Sequence, residues 1–195
     1  MSSVAVAGIL EGDPIRGGRL WDTWWTEIGT APPSGRHALS NEQTATEDIQ
    51  TFRCATCHGW DYKEVHTTSR TDAELFNLLK FVNVPNGHGY ADHGLTDDDL
   101  RDLIAFLRRG TVDTNLYITP DGDFIGNPDA GAKRFQQGTA GSMQCLVCHG
   151  PDGRWLNFGS HEDPTWLGTV AQQEPWRFLH MVRFGKPGTA MPSMS

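Results

Sequence analysis

Two stretches of the chain set thiols and an imidazole at the same spacing: Cys54-Ala55-Thr56-Cys57-His58 and Cys145-Leu146-Val147-Cys148-His149. Cysteines at this separation stand about one helical turn apart, so their sulfurs face the same side. Thiols so placed can add across the two vinyl groups of one porphyrin, and the histidine that follows can set a ring nitrogen under the iron. The spacing therefore predicts two covalently attached haem c groups. One is held through Cys54 and Cys57 with His58 as axial ligand, the other through Cys145 and Cys148 with His149.

Competing chemistries account for fewer of these residues. A four-cysteine zinc site could draw on both pairs, but it leaves each following histidine unexplained. The pairs also stand roughly 90 positions apart, far beyond zinc-ribbon spacing. A thioredoxin-like redox pair calls for a βαβ setting, which the hydrophobic pattern does not offer. The two motifs use all four cysteines of the chain, leaving none for a disulfide or a thiolate axial ligand.

Helices must hold these motifs, and their start signals are readable. Asp13-Pro14 is a cap-then-proline start for a helix running to Ile28, with Leu20, Trp21, Trp24, Trp25 and Ile28 on one face. Its Gly17-Gly18 pair would let another helix approach closely. Gly29 to Ser40 reads as loop, and His37 within it as a surface histidine. Thr71 with Glu74 forms a capping box, and Leu75, Leu78, Leu79 and Val82 follow at helical spacing. The loop Asn83 to Tyr90 comes next. A second box, Thr96 with Asp99, opens a helix bearing Leu100, Leu103, Ile104 and Leu107, closed by Arg108, Arg109 and Gly110. Asn127-Pro128 starts a helix through Phe135, Pro151 to Pro164 is loop, and Pro175 to Phe184 is helical with Trp176, Leu179 and Val182 inward. The expected organisation is a tail over 1–12, a first haem domain over 13–110, a linker over 111–126 and a second haem domain over 127–195.

In a chain of 195 residues, the seven Trp and nine Phe are expected mainly around porphyrin faces, where haem serves as packing as well as cofactor. The net charge of −8 argues against nucleic acid and anionic membrane, and suits docking to a basic patch on a redox partner. No stretch approaches the length of a membrane span. Haem c is attached outside the cytoplasmic membrane, so a periplasmic or other extracytoplasmic location is expected. A signal peptide is not evident, because the apolar run Val4 to Leu10 has no Lys or Arg before it. It reads as a remnant, or as a mature start with an added Met.

Aligned on their cysteine motifs, the two halves also match through Leu78 to His88 and Leu179 to Met191. Each half resembles a class I cytochrome c, a small helical domain with an early Cys-x-x-Cys-His and a later loop methionine as sixth ligand. The resemblance covers nearly the whole chain. It implies a mostly α fold of two tandem helical haem domains, and Gly188-Thr189-Ala190-Met191-Pro192 matches the family's ligand loop. Met191 is then the distal ligand of the second haem, with Met194 as alternative, and Met181, His161 and His180 play no ligand role. The first half departs from the family, having no methionine between residues 2 and 142. The repeat puts His88 where Met191 stands, with His93 and His66 as alternatives. The second half lacks an evident C-terminal helix, so the chain is a truncated piece or another surface, from the first domain, a second copy or a partner, covers the helix ending at Phe135.

The resemblance implies a di-haem electron carrier between a dehydrogenase or quinol-oxidising complex and a downstream acceptor, running from a bis-His haem to a His/Met haem. The alternatives are a catalytic di-haem enzyme, peroxidase-like or thiosulfate dehydrogenase-like, or a subunit of a larger multihaem complex or filament. Asp92, Asp97, Asp98 and Asp99 near the first ligand loop are expected to stabilise the ferric charge there.

Overall fold

The computed structural model describes residues 11–40, 47–63, 69–138 and 143–194. His66 and the apolar run before residue 11 lie outside them. The chain is mostly α: the described residues form eight α-helices and no β-strand, with an isolated antiparallel bridge between Ile118 and Phe124. No helix among the described residues is long and apolar enough to cross a membrane. The chain divides into two compact units, one of residues 1–112 with 184–193 and 195, the other of residues 113–183 with 194. Residues 113–126 of the expected linker thus fall in the second unit, and the segment carrying Met191 falls in the first.

In the first unit, α1 (Pro14–Glu27) begins where Asp13 accepts from the Ile15 amide and Pro14 occupies the first turn. Leu20, Trp21, Trp24 and Trp25 are buried along it. The short α2 (Cys54–His58) carries the first cysteine motif. Helix α3 (Asp72–Lys80) and helix α4 (Asp97–Ala105) both open on complete capping boxes, Thr71 with Glu74 and Thr96 with Asp99. A single π-type turn over Phe106–Gly110 extends α4. Helix α3 ends two residues before Val82, which is 59% exposed rather than inward. The backbone turns extended at Phe81 (φ −109°, ψ 144°), whose amide makes the last bond back to Asn77.

The crossing of α1 with α4 organises this unit. A β-carbon on Gly17 would lie 2.0 Å from the Asp102 carbonyl oxygen and 2.7 Å from the Phe106 β-carbon. Only glycine permits that approach, in agreement with the reading of the glycine pair as a place of close helix contact. At Gly18 a β-carbon would stand 2.4 Å from the ring of Phe184, which packs edge-on against Phe106 at 5.2 Å. Beside the contact, Arg16 bonds Asp102 at 2.6 Å and also Asp99, while the Asp13 amide donates to Asp102 at 2.7 Å. Both aspartates are buried. Burial would raise the Asp99 pKa, but the bonds from Thr96 and the Arg16 guanidinium outweigh it and hold the carboxyl below its usual range.

The second unit holds α5 (Pro128–Gln137), α6 (Leu146–His149), α7 (Leu167–Gln173) and most of α8 (Pro175–Phe184). The segment before α5 is a folded turn, in which the Ile125 amide donates to Tyr117 and the Thr119 amide to Asp123. Ile118 is buried there, whereas Leu116 and Tyr117 face solvent. Phe124 meets Phe178 edge-on at 5.7 Å. No residue of α5 is buried, and Phe135 lines an open cavity of about 290 Å³ with Leu167 and Phe178.

The Arg16 clasp has a measurable signature. Arg16→Met leaves two buried carboxylates uncompensated, which should cost about 2–4 kcal/mol at neutral pH, less than for a fully buried pair because the arginine is partly exposed. A carboxyl whose folded pKa lies below its unfolded value of about 4 stabilises the fold above that pH and loses the contribution as pH falls through the folded value. Guanidinium unfolding of wild type and variant should therefore differ clearly at pH 7 and draw together as pH falls from about 4 through the folded Asp99 value. An equal gap at both pH values would refute the charge account.

Candidate functional site

The first motif is fixed by bonds on both flanks. Arg53, immediately before Cys54, is half-buried against α1: its Nη2 pairs with the Asp22 carboxylate and its Nε donates to the Asp22 carbonyl at 3.3 Å. Its Nη1 donates to Gln50 at 2.8 Å, and the guanidinium lies 5.3 Å over the Trp60 ring. After the motif, Trp21 Nε1 donates to the Gly59 carbonyl at 3.3 Å, and its indole stands 5.8 Å from the His58 ring. The Phe52 carbonyl accepts from Trp24 Nε1 at 3.0 Å. Trp21 thus forms the wall behind His58.

His88 comes to the other side of the motif. Its ring and that of His58 have centroids 6.1 Å apart and planes 27° from parallel. Two imidazoles on one metal ion, with metal–nitrogen bonds of about 2.0–2.1 Å, would place their centroids about 6 Å apart. A cavity of about 250 Å³ lies here, lined by Cys54, Cys57, His58, His88, Tyr90 and Leu39 among others. Cys54 is buried and Cys57 exposed, so the two thiols stand at different depths of this opening. The Tyr90 hydroxyl donates to the Phe52 carbonyl at 3.4 Å and lies 3.9 Å from Cys54 Sγ.

The electrostatics suit a neutral ligand. Burial, reinforced by His58 and His37 nearby, lowers the His88 pKa to about 4, so the ring is uncharged at neutral pH. His88 Nδ1 is buried and has no hydrogen-bond partner among the described residues. Neutral imidazole is the form that binds metal. Burial pushes the Cys54 thiol up to about 12, with the Tyr90 hydroxyl opposing. It raises Cys57 as well.

A porphyrin iron needs only two protein donors, one on each face. Cys54, Cys57, His58 and His88 fit such a group in number, type and separation. A bare metal cage is another matter: among the described residues, no three His, Cys, Asp or Glu side chains converge to form one.

His93 lies elsewhere. It is exposed, packs its ring edge-on to Phe52 at 4.9 Å, and is not among the residues lining the cavity. Three of the four aspartates expected to act on this iron are engaged by cations, Asp97 by Lys80, Asp98 by Arg101 and Asp99 by Arg16. Their field on the site is correspondingly reduced. His37 corrects the surface reading outright. It is 6% exposed, lines the cavity and holds its ring 6.1 Å from that of His88.

In the second unit, Cys145 is half-buried and Cys148 exposed. His149 is half-buried, its pKa lowered by burial, and its Nδ1 is buried without a partner among the described residues. Val147, Trp155, Leu156 and Phe158 around it are all exposed, the last with its ring 6.3 Å from that of His149. Such a cluster of uncovered apolar side chains is the kind of surface a large flat apolar group would cover. Met191 and Met194 are both half-buried. Met191 closes a tight loop, its amide donating to Thr189 at 3.2 Å and its carbonyl accepting from Lys186 at 3.4 Å. Met194 donates to the end of α8 and shares the unit of His149. His161 is exposed, His180 buried and Met181 half-buried.

Comparison of the chain with family models, with curated proteins and with solved structures finds no match.

Proposed function

We propose that the chain is a di-haem c-type cytochrome, a pair of class I-like haem domains in tandem, that carries single electrons outside the cytoplasm. Its donor would be a dehydrogenase or quinol-oxidising complex and its acceptor a downstream redox protein. What supports this above all is the opposition of His58 and His88 at 6.1 Å beside two cysteines at attachment spacing. Bound at such a place, haem supplies one-electron cycling of its iron.

The chain's own residues would do the rest. Cys54 and Cys57 would hold the ring covalently, and Trp21 would limit the turning of His58. His88 would supply the second protein donor to the group that His58 holds, and two protein donors favour a carrier over a catalyst. Tyr90, which is buried, and Leu39 line the cavity and would give the group apolar surroundings. In the second half of the sequence Cys145, Cys148 and His149 would take the corresponding roles, with Met191 as sixth ligand and Met194 as the alternative. The net charge of −8 suits partners with a basic docking patch.

These roles have measurable consequences for attachment and ligation. Protein exported alongside haem-attachment machinery should carry two porphyrins that survive denaturation, as read by mass, and Cys57→Ala or Cys148→Ala should each abolish attachment at its own site. His88→Ala should convert the first haem from low-spin to a form that binds carbon monoxide, while His93→Ala leaves its spectrum unchanged. Purified protein holding zinc and no haem would overturn the whole proposal, and a spectral loss in His93→Ala alone would move the ligand to that residue.

A separate expectation concerns potential. Thioether sulfur is a weaker, softer donor than imidazole and favours the ferrous state, so the His/Met haem should have the higher potential. Electrons should then run from the first domain to the second. In a redox titration, Met191→His should lower the upper step and leave the lower one in place. A wild-type titration in which the His/Met haem is the first to lose its electron would reverse the assignment.

A further inference from the structure

We infer that His37 is a positioning residue for His88, holding the sixth ligand against the first haem through the ligand's own backbone. The inference rests on His88 being that ligand. Every polar atom of His37 is committed. Its amide donates to Thr51 Oγ1 at 2.8 Å, and its carbonyl accepts from the Ser40 amide and hydroxyl at 2.9 and 2.7 Å. Ring atom Nδ1 accepts from the Leu39 amide at 3.2 Å. An imidazole whose Nδ1 accepts from an amide carries its proton on Nε2. That nitrogen lies 3.1 Å from the His88 carbonyl oxygen, so it donates to it.

The tautomer is therefore set by the local turn, and the bond it directs reaches across to the ligand loop. The ring has no freedom to swing away, because Phe52 packs edge-on to it at 5.3 Å and Tyr90 lies at 5.6 Å.

The ligand loop needs such a hold. His88 sits between Gly87 and Gly89, residues with the least intrinsic backbone constraint. Gly89 adopts a left-handed φ of 67°, and Asn86 one of 59°. A β-carbon on Gly87 would meet the Phe81 carbonyl oxygen at 2.0 Å, so that position admits no stiffer residue. Between these two joints His88 is held at its amide, which donates to Leu78 at 2.8 Å, and at its carbonyl, by His37. The amide bond ties the loop to α3. The carbonyl bond ties it to the segment that precedes Cys54, because Phe52 and Thr51 are the residues His37 rests on. His37 thus connects the two sides between which the iron would lie.

The test uses the purified di-haem protein and its carbon monoxide affinity in the ferrous state, since a sixth ligand held less firmly yields its place more readily. His37→Phe keeps the packing and removes the donor. It should raise the affinity of the first haem for carbon monoxide about fivefold or more, the effect of losing one net hydrogen bond. The low-spin ferric resonance of that haem should broaden as well, with both haems still covalently attached. His37→Gln returns an N–H to nearly the place of Nε2 and should restore most of the wild-type behaviour. His37→Asn is too short to reach the carbonyl and should behave like the phenylalanine variant. If His37→Phe yields no holoprotein, the contrast between glutamine and asparagine decides the matter. Wild-type affinity and resonance in His37→Phe, or equal loosening in the glutamine and asparagine variants, would overturn the inference. If His88→Ala itself leaves carbon monoxide affinity unchanged, it is the ligand assignment that fails, and the role of His37 with it.

Discussion

Close contact between two helix backbones at Gly17 is the constraint on which the first unit depends. With no side chain there, α4 approaches until the Asp102 carbonyl would touch a β-carbon. That places Phe106 against Trp21 at 5.4 Å, and Trp21 against His58 at 5.8 Å. The position of an imidazole on α2 is thus set by the absence of a methyl group on α1. The ion pairs of Arg16 sit on the rim of the same contact and fix its register. Apolar burial supplies most of the stabilisation, and the charges make one alignment better than its neighbours.

Features that rest on neighbours along the chain are legible in the residues themselves. The Asp13-Pro14 start, the two capping boxes and the buried face of α1 need only a few adjacent residues to be satisfied, and each appears where its residues stand. Gly17 is legible for a different reason, since a glycine pair inside an amphipathic helix has few other uses. His37 is not, because its burial comes from Thr51, Phe52, His88 and Tyr90, residues that local patterning does not connect to it. Helix α7 leaves little trace: its cap residue, Trp166, makes no side-chain cap bond, and none of its residues is buried. The repeat points to His88, but its opposition to His58 is a long-range fact that only the fold supplies.

The two units differ in how they fill their interiors. The first buries a continuous set of aromatic and aliphatic side chains around α1 and α4. In the second, Ile118 is the one fully buried large aliphatic side chain among the described residues of 113–183, while Trp155, Phe158 and Val147 remain uncovered. A segment of this size with so little apolar burial has a thin margin against the entropy of its chain. A covalently held porphyrin, as proposed above, would supply the missing apolar mass. On that view loss of cofactor would be felt more as unfolding in the second unit than in the first.

The sequence distance across the Gly17 contact also sets an order in time. A chain delivered from its N-terminus presents α1 first, then Cys54 and Cys57, and only some forty residues later the start of α4. Until Asp97 to Phe106 arrive, Gly17 has no partner and the wall behind His58 is unsupported. In the finished fold Cys54 is buried and its thiol is held protonated, the less reactive form. If that sulfur takes up a porphyrin as proposed above, the attachment would fall in the interval between its own emergence and the docking of α4.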